Sequence, residues 1–139
     1  MLIRFIIYGL IGFLTEVIFT GMGSLVSGSW YLTGHTYLWM FPIYAMAIFL
    51  EPLHDRIRES PWLVRGFIYV GAIFIIEFFA GWLLNMTIGF CPWDYTGRTS
   101  FSVNGYIRLD FLPFWFVAGL IFERIHDFLD YALLKLNIS

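Results

Sequence analysis

Long apolar runs constrain this chain more than any other feature, because each run must be kept out of water. The run Phe5–Val26 contains one charged residue, Glu16, and the run Trp62–Leu84 contains only Arg65 and Glu77. A helix needs about 20 apolar residues to cross the ~30 Å hydrocarbon layer of a membrane. Both runs are long enough, so each predicts a membrane-spanning helix.

Composition indicates the same environment for the whole chain. Hydrophobic residues make up 60% of the 139 residues and charged residues 13%, with a mean hydropathy of +0.77. Ordinary soluble domains contain roughly 25% charged residues, and a soluble protein of this size has too small a core to cover so much apolar surface. We therefore expect one integral membrane domain over residues 1–139, with membrane lipid as its solvent.

Charge, cysteine content and motifs exclude several functions. The formal net charge is −2, whereas a nucleic-acid-binding protein needs a clustered basic face. Cys91 is the only cysteine, so neither an internal disulfide nor a multi-cysteine metal site can form. The sequence contains no P-loop, dinucleotide fingerprint, c-type haem motif or catalytic triad pattern. We expect no cofactor and favour a non-enzymatic role over an enzymatic one, and any ATP hydrolysis would need another chain.

Two further segments complete a predicted all-α, polytopic fold with four transmembrane helices. Trp30–Leu50 is the second candidate span, and the fourth helix is expected over about Gly105–Asp130. Only twelve uncharged residues separate Asp110 from Glu123, and twelve residues rise ~18 Å, which is too short to span. The fourth helix must therefore bring one or both acids into the interfacial zone.

The positions of the basic residues predict the orientation of the helices. Basic residues concentrate on the cytoplasmic side of membrane proteins. Six lie on one side of the predicted helices and two on the other: Arg4, Arg56, Arg58, Arg65, Arg124 and Lys135 against Arg98 and Arg108. We expect a multi-pass protein of a bacterial inner (plasma) membrane, with cytoplasmic N- and C-termini.

The two halves of the chain resemble each other, which predicts an internal duplication. The halves cover about 1–58 and about 62–131, and the outer loop, about 89–106, has no counterpart in the first half. Each half has a basic residue and a glutamate twelve positions apart: Arg4 and Glu16, Arg65 and Glu77. Each half would be a helical hairpin, so the fold is predicted to be two tandem hairpins in parallel orientation.

A repeated motif is the clearest sign of duplication. Glu51-Pro-Leu-His54-Asp55 and Glu123-Arg-Ile-His126-Asp127 both read Glu-x-x-His-Asp. Two Glu-x-x-His helices and two further glutamates are the ligand set of di-metal carboxylate bundles. The metal candidates are four residues: Glu51, His54, Glu123 and His126.

The predicted depth of these residues argues against a metal centre. Glu16 and Glu77 lie ~18 Å inside their helices, whereas the repeated motifs lie near helix ends. We expect a solvated rim in which Glu, His and Arg pair loosely, and an acidic vestibule leading to Glu16 and Glu77 remains an alternative.

The two mid-helix glutamates form a candidate intramembrane polar site. A charged group at the helix centre costs ~2.5–3.5 kcal/mol on insertion scales, so it normally faces the bundle interior and has a partner. Thr20 shares a helix stripe with Glu16, and Asn85 shares one with Glu77. The pair is either a protonatable or ligand-binding site, or two protonated acids that hydrogen-bond across a helix interface.

The outer loop holds a second set of candidate residues: Trp93, Asp94, Tyr95 and Arg98. Asp94 is suited to cap a turn while the flanking rings anchor at the headgroups. Arg98, Arg108 and Asp110 are possible partners in the same loop. A structural clasp and a binding lid both fit this pattern.

Several segments carry a resemblance to a known family, and we list them in chain order: Gly12-Phe-Leu-Thr-Glu16-Val, Phe41-Pro-Ile-Tyr44, Glu77-Phe-Phe-Ala-Gly81, Cys91-Pro-Trp-Asp-Tyr95, Gly105-Tyr-Ile-Arg-Leu109 and Trp115. In these segments the chain resembles the CmpB-type family of ABC-transporter permeases, which includes the animal transmembrane protein 229 group. The resemblance implies a small polytopic membrane protein and implies little about its activity.

Three functional hypotheses follow. The first is a permease-like or accessory membrane subunit that acts with other membrane subunits or as a homo-oligomer. The second is a proton- or cation-coupled transporter that uses Glu16 and Glu77. The third is a metal-carboxylate membrane enzyme that uses the Glu-x-x-His pairs. No residue pattern specifies a substrate.

Overall fold

The structure, a computed structural model, describes residues 1–136 and is mostly helical. The chain forms two compact units, Met1–Ile48 and Phe49–Ser139. The helical fold class predicted from the sequence is confirmed.

The first unit is built on helix α1, Leu2–Val26, and the short helix α2, Met40–Ala45. The two helices approach closely because α1 presents glycines where α2 presents aromatic rings. A Cβ atom at Gly9 would lie 2.9 Å from the Phe41 ring, and one at Gly12 would collide with Tyr44. Small residues at such crossings allow close packing of helices in a membrane.

The predicted second span, Trp30–Leu50, does not form one helix. Residues 28–39 form turns and extended backbone, and α2 begins only at Met40. The Thr20 hydroxyl donates to the carbonyl of His35 and accepts from its N–H, both at 2.9 Å. These bonds fix the loop against α1, and Leu32 adopts a positive φ of 50°, which a helix excludes.

The second unit contains helices α3, Glu51–Ile57, and α4, Trp62–Ile88, and the C-terminal helix α5, Leu112–Lys135. Short 3₁₀ helices cover Met46–Leu50 and Leu109–Phe111. Helices α4 and α5 also pack through glycines. A Cβ atom at Gly66 would meet the ring of Phe116, and one at Gly119 would meet Tyr69.

The outer loop of the second unit ends in a small hairpin. Strands β1, Ser102–Val103, and β2, Ile107–Arg108, pair antiparallel. Asn104 and Gly105 occupy the turn with φ values of 51° and 74°, as a type I′ turn requires. The expected start of the fourth helix at Gly105 is therefore wrong, and α5 begins at Leu112 instead.

Two helices are long and apolar enough to cross a membrane. Within the part of the chain that the structure describes, these are α1 and α4, with mean hydropathies of 2.0 and 2.1 in their most apolar windows. Helix α5 is 24 residues long but carries Glu123, Arg124, Asp127 and Asp130. The prediction of four transmembrane helices is thus supported for two of them.

Candidate functional site

Helices α3 and α5 bring the two Glu-x-x-His-Asp segments into contact, and we call this set the histidine–carboxylate cluster. The rings of His54 and His126 meet edge to face, with centroids 5.3 Å apart. Each imidazole approaches the acids of the opposite helix. His54 lies 3.6 Å from Asp127 and 3.8 Å from Glu123. His126 in turn approaches acids of α3, so the two segments contact each other reciprocally.

His126 approaches acids from both helices. Its Nδ1 lies 3.4 Å from Glu51, and its Nε2 lies 3.9 Å from Asp55. Asp130, one turn further along α5, lies 3.6 Å from the same Nε2. The cluster therefore places five carboxylates around two imidazoles.

The centre of the cluster is buried, so the expected solvated rim is wrong for three of its members. His54 is 2% exposed, His126 3% and Glu123 6%. The side chains of Asp55 and Asp127 remain 63% and 43% exposed. The centre of the cluster is thus shielded from water, while its edge (the wet edge) is exposed to solvent.

Two aromatic side chains account for the burial of the histidines. The hydroxyl of Tyr69, which is fully buried, lies 2.8 Å from His54 Nδ1 in a hydrogen bond. The ring of Phe122 stacks on His126 at 6.0 Å with an interplanar angle of 13°. Sequence reasoning missed Tyr69, although its i, i+4 spacing from Arg65 places both on one face of α4.

Arg65 supplies the charge that a buried carboxylate needs. Its Nε donates to one oxygen of Glu123 at 2.6 Å and its Nη2 to the other at 3.0 Å. Its Nη1 donates to the Ser60 carbonyl at 2.6 Å. Bidentate pairs of this kind are the strong form of the arginine–carboxylate interaction. Sequence reasoning used Arg65 as a topology marker and as a member of the internal repeat, and missed this role.

A second arginine acts at the wet edge of the cluster. Arg58 donates to Asp127 at 2.8 Å and lies 3.8 Å from Asp55. This contact joins α3 to α5 where water reaches both partners, so it contributes much less than the Arg65 pair.

Metal ligation is a poor fit for the four candidate residues. Across residues 1–136, no group of three or more His, Cys, Asp or Glu side chains is arranged to hold a metal ion. Both oxygens of Glu123 already accept from Arg65. Glu77 lies twelve residues beyond Arg65 on α4, about 18 Å along the helix, so it belongs to another level.

Glu16 has its own hydrogen-bonded site in the first unit. Its Oε2 accepts from the hydroxyl of Thr36 at 2.7 Å and from that of Tyr44 at 2.8 Å. The Thr20 hydroxyl instead lies 2.9 Å from the backbone carbonyl of Glu16 and 2.9 Å from that of His35. Hydroxyl groups donate to an ionised carboxylate and accept from a protonated one, so this site accommodates either form.

Glu77 and Asn85 each contact a tyrosine of the outer loop. Glu77 is 7% exposed, and its Oε1 lies 3.5 Å from the hydroxyl of Tyr95. Asn85 donates its side-chain amide to the hydroxyl of Tyr106 at 3.0 Å. The middle and the end of α4 therefore each contact one tyrosine of the second unit.

The Trp-Asp-Tyr segment forms a hydrogen-bonded clasp. Trp93 is buried and donates its indole N–H to the Tyr106 carbonyl at 3.0 Å, so it packs inside the loop. The Tyr95 N–H donates to the Gly105 carbonyl at 2.9 Å. Asp94 accepts from the Thr96 N–H at 2.9 Å, which closes the expected turn.

Electrostatics around the loop follow from local hydrogen bonds. The bonds from Thr96 hold the pKa of Asp94 below its usual range, with a smaller effect from Arg98. Arg108 pairs with Asp110 at 2.6 Å, which lowers the pKa of the Asp110 carboxyl. The guanidinium of Arg108 also lies 4.2 Å from the centre of the Phe111 ring, so it is committed to this pair and not to Asp94.

A pocket of about 280 Å³ lies between the end of α4 and the loop. Its lining is mostly polar, and it consists of Asn85, Gly89, Phe90, Cys91, Asp94, Thr96, Asn104 and Tyr106. Burial raises the pKa of the Cys91 thiol to about 11, so the thiol is neutral at pH 7. Sequence reasoning did not assign a cavity here.

Comparison with known proteins identifies the family. Residues 3–138 match the model of a family described as "Putative ABC-transporter type IV", the CmpB-type family. No solved structure matches the chain. The family match and the two long apolar helices α1 and α4 indicate a membrane protein related to transporters. The chain belongs to this CmpB-type family.

Proposed function

We propose that this chain is a permease-like or accessory membrane subunit that works with partner chains or as a homo-oligomer. One observation carries the proposal: a chain of a transporter-type family has two apolar helices but no nucleotide-binding motif in its 139 residues. An ABC transporter is driven by ATP hydrolysis, which requires a P-loop to hold the phosphates. The energy-coupling step would therefore take place outside these 139 residues.

The glycines of α4 support an interaction surface on that helix. A Cβ atom at Gly66 would meet Phe116, and one at Gly81 would meet Tyr106 at 3.0 Å, so both are filled from within the unit. At Gly71 the added atom would meet nothing within 4 Å among the described residues. A glycine with open space above it lets a helix of another chain approach closely.

The proposal includes the four-span arrangement with cytoplasmic termini. The distribution of basic residues, six against two, supports this orientation. The reciprocal contacts of the two Glu-x-x-His-Asp segments support the duplication, since a local twofold axis between α3 and α5 places each histidine near the acids of the other segment. A duplicated parallel repeat would have this symmetry.

Copurification and native mass in mild detergent test the subunit role. We expect a mass above that of one chain, or a second chain that stays bound through purification. Gly71→Leu should reduce this association without unfolding the protein, because Gly71 is exposed and an added Cβ atom meets nothing within 4 Å among the described residues. Leu83→Phe also adds volume to an exposed position of α4, on another face, and serves as the matched control. A solitary monomer with no copurifying chain would contradict the proposal.

A second candidate, proton- or cation-coupled transport, is favoured by the surroundings of Glu16. Its carboxylate lies within an apolar helix and accepts two short hydroxyl bonds, from Thr36 and Tyr44. Such a site holds a carboxylate through a change of protonation. Glu16→Gln and Glu77→Gln should each abolish pH-driven flux in proteoliposomes, while the exposed Glu59→Gln should not. Unchanged flux in both variants would rule the transport role out.

A further inference from the structure

The pocket at the end of α4 is lined by groups that carry a negative charge or a partial negative charge. Its lining includes one ionisable carboxylate, Asp94, and contains no lysine or arginine among the residues that the structure describes. Its volume of about 280 Å³ lies just below the range of ligand pockets, which is roughly 300–1,000 Å³. The pocket therefore suits a small group with a positive charge.

Asp94 is held in place and keeps accepting capacity. Its Oδ1 accepts from the Thr96 N–H at 2.9 Å, which fixes the carboxylate at the pocket wall. The hydrogen bonds from Thr96 keep the pKa of Asp94 low, so the group is charged at pH 7. A carboxylate has about four lone-pair positions on two oxygens, and the turn uses only some of them.

The end of α4 adds a second negative element. Helix α4 ends at Ile88, followed by Gly89 with a left-handed φ of 84°, and its last turn carries no basic side chain. The carbonyl groups at a helix C-terminus carry a partial negative charge of about half a unit. Asn85 uses its amide N–H₂ on Tyr106, which leaves its side-chain oxygen as an acceptor.

Aromatic surface completes the pocket. Phe90 and Tyr106 both line it, and aromatic faces attract ammonium groups within about 6 Å. The Cys91 thiol in the wall is neutral, so it supplies no thiolate that would recruit a soft metal ion. Carboxylate, helix end and aromatic rings together match an organic ammonium better than a bare metal cation.

We propose that this pocket binds an organic ammonium group, with Asp94 as its counter-ion. The group has two possible sources, the ethanolamine or choline headgroup of a membrane lipid and a free small amine. Both reach the pocket, because it opens at the end of a helix that is long enough to span a membrane. This inference does not depend on the subunit role proposed above.

Calorimetric titration of the full chain, in a detergent that contains no ammonium group, tests the binding. Choline is the probe, and 3,3-dimethyl-1-butanol is its neutral counterpart of the same shape. We expect choline to bind roughly tenfold or more tightly than the neutral alcohol, because the charge supplies most of the attraction. Equal binding of the two probes, or no binding of choline, would overturn the proposal without the need for any variant.

Variants locate the binding. Asp94→Asn retains the oxygen that closes the turn but removes the charge, and should weaken choline binding roughly tenfold. Asp110→Asn removes a loop carboxylate that already pairs with Arg108 and does not line the pocket, so it should leave affinity unchanged. Phe90→Leu, at an exposed ring, should weaken binding severalfold. Unchanged affinity in Asp94→Asn and Phe90→Leu would overturn the assignment.

Nanodiscs separate the two sources of the ammonium group. In discs of phosphatidylglycerol alone the pocket should bind choline, and Asp94→Asn should bind it roughly tenfold more weakly. If added phosphatidylethanolamine lowers choline binding, the lipid headgroup is the occupant. If it leaves choline binding unchanged, the occupant is a free amine. Equal choline binding by Asp94→Asn and the unmodified chain in these discs would contradict the proposal.

Discussion

The two ends of α4 stabilise the same helix in different ways. Near its start, Arg65 neutralises the buried Glu123 within a cluster of ions. In its last turn, Asn85 joins a loop that is held by neutral hydrogen bonds, with Trp93 donating to a backbone carbonyl. Twenty residues separate Arg65 from Asn85, a rise of about 30 Å, which matches the hydrocarbon thickness of a membrane.

The difference shows what burial demands at each end. A buried carboxylate is costly unless an opposite charge and further hydrogen bonds compensate it, and Glu123 has both. The clasp buries neutral polar groups such as the Trp93 indole N–H, whose cost a single hydrogen bond offsets. The carboxylate of Asp94 stays exposed to water. The Arg65 end of α4 is thus sensitive to loss of charge, and the Asn85 end to backbone changes.

Removal of the Arg65 charge should have the largest effect. Arg65→Met leaves Glu123 buried without its cation, so the thermal midpoint in detergent should fall by several degrees or more. The double variant Arg65→Met/Glu123→Leu should recover most of the loss, because no unpaired charge remains. Equal midpoints for the single variant and the unmodified chain would remove the distinction between the two ends.

A backbone change in the loop at the Asn85 end of α4 should have the next largest effect. Gly105 has a φ of 74°, and a Cβ atom there would meet Asp94 and Thr96. Gly105→Ala should lower the free energy of unfolding by about 1–2 kcal/mol from the left-handed backbone alone. Gly97→Ala has the same backbone cost, with a φ of 73°, but meets nothing within 4 Å. Chemical denaturation should therefore rank Gly105→Ala below Gly97→Ala in stability, and the reverse order would contradict the loop contacts.

Removal of one tyrosine hydroxyl near each end of α4 allows a direct comparison of the two ends. Tyr69→Phe removes the partner of His54 in a fully buried site and should cost about 1–2 kcal/mol. Tyr106→Phe removes the partner of Asn85, which water can replace, so its effect should be smaller. Denaturation curves of both variants measure the difference, and equal losses would mean that burial does not separate the ends.

The smallest effect is expected for alkylation of the Cys91 thiol, which tests whether the loop buries this side chain. Only the thiolate reacts, and its pKa of about 11 leaves about a hundredfold less thiolate at pH 8 than a pKa of 9 would. The labelling rate should rise with pH through about 11. A thiol introduced at the exposed Ser100, by Ser100→Cys, provides the reference. Rapid labelling of Cys91 at pH 8 would show that the loop does not bury it.

The same contrast explains which features could be predicted from the sequence. The repeated Glu-x-x-His-Asp motif identifies which side chains share a helix face, because that follows from local spacing. It did not predict burial, which depends on Tyr69 and Phe122 from other turns of the fold. The pairing of Arg65 with Glu123 joins residues 58 positions apart, and no local pattern encodes it.

The loops were harder to predict, although one signal was present. Asn104-Gly105 is a strong hairpin dipeptide, and it could have moved the predicted start of the last helix from Gly105 to Leu112. The extended segment before Met40 has no such signal. Its conformation depends on the bonds from Thr20 to His35, so an apolar run of helical length was misleading there.

Site-specific labelling from each side of a sealed vesicle tests most directly whether α4 crosses a membrane between its two ends. In a Cys91→Ser background, Glu59→Cys places a thiol near the histidine–carboxylate cluster and Ser100→Cys places one in the outer loop. A membrane-impermeant maleimide, added outside right-side-out vesicles, should label the thiol at position 100 at once. The thiol at position 59 should react only after the membrane is permeabilised. Immediate labelling of both positions from one side would contradict the account.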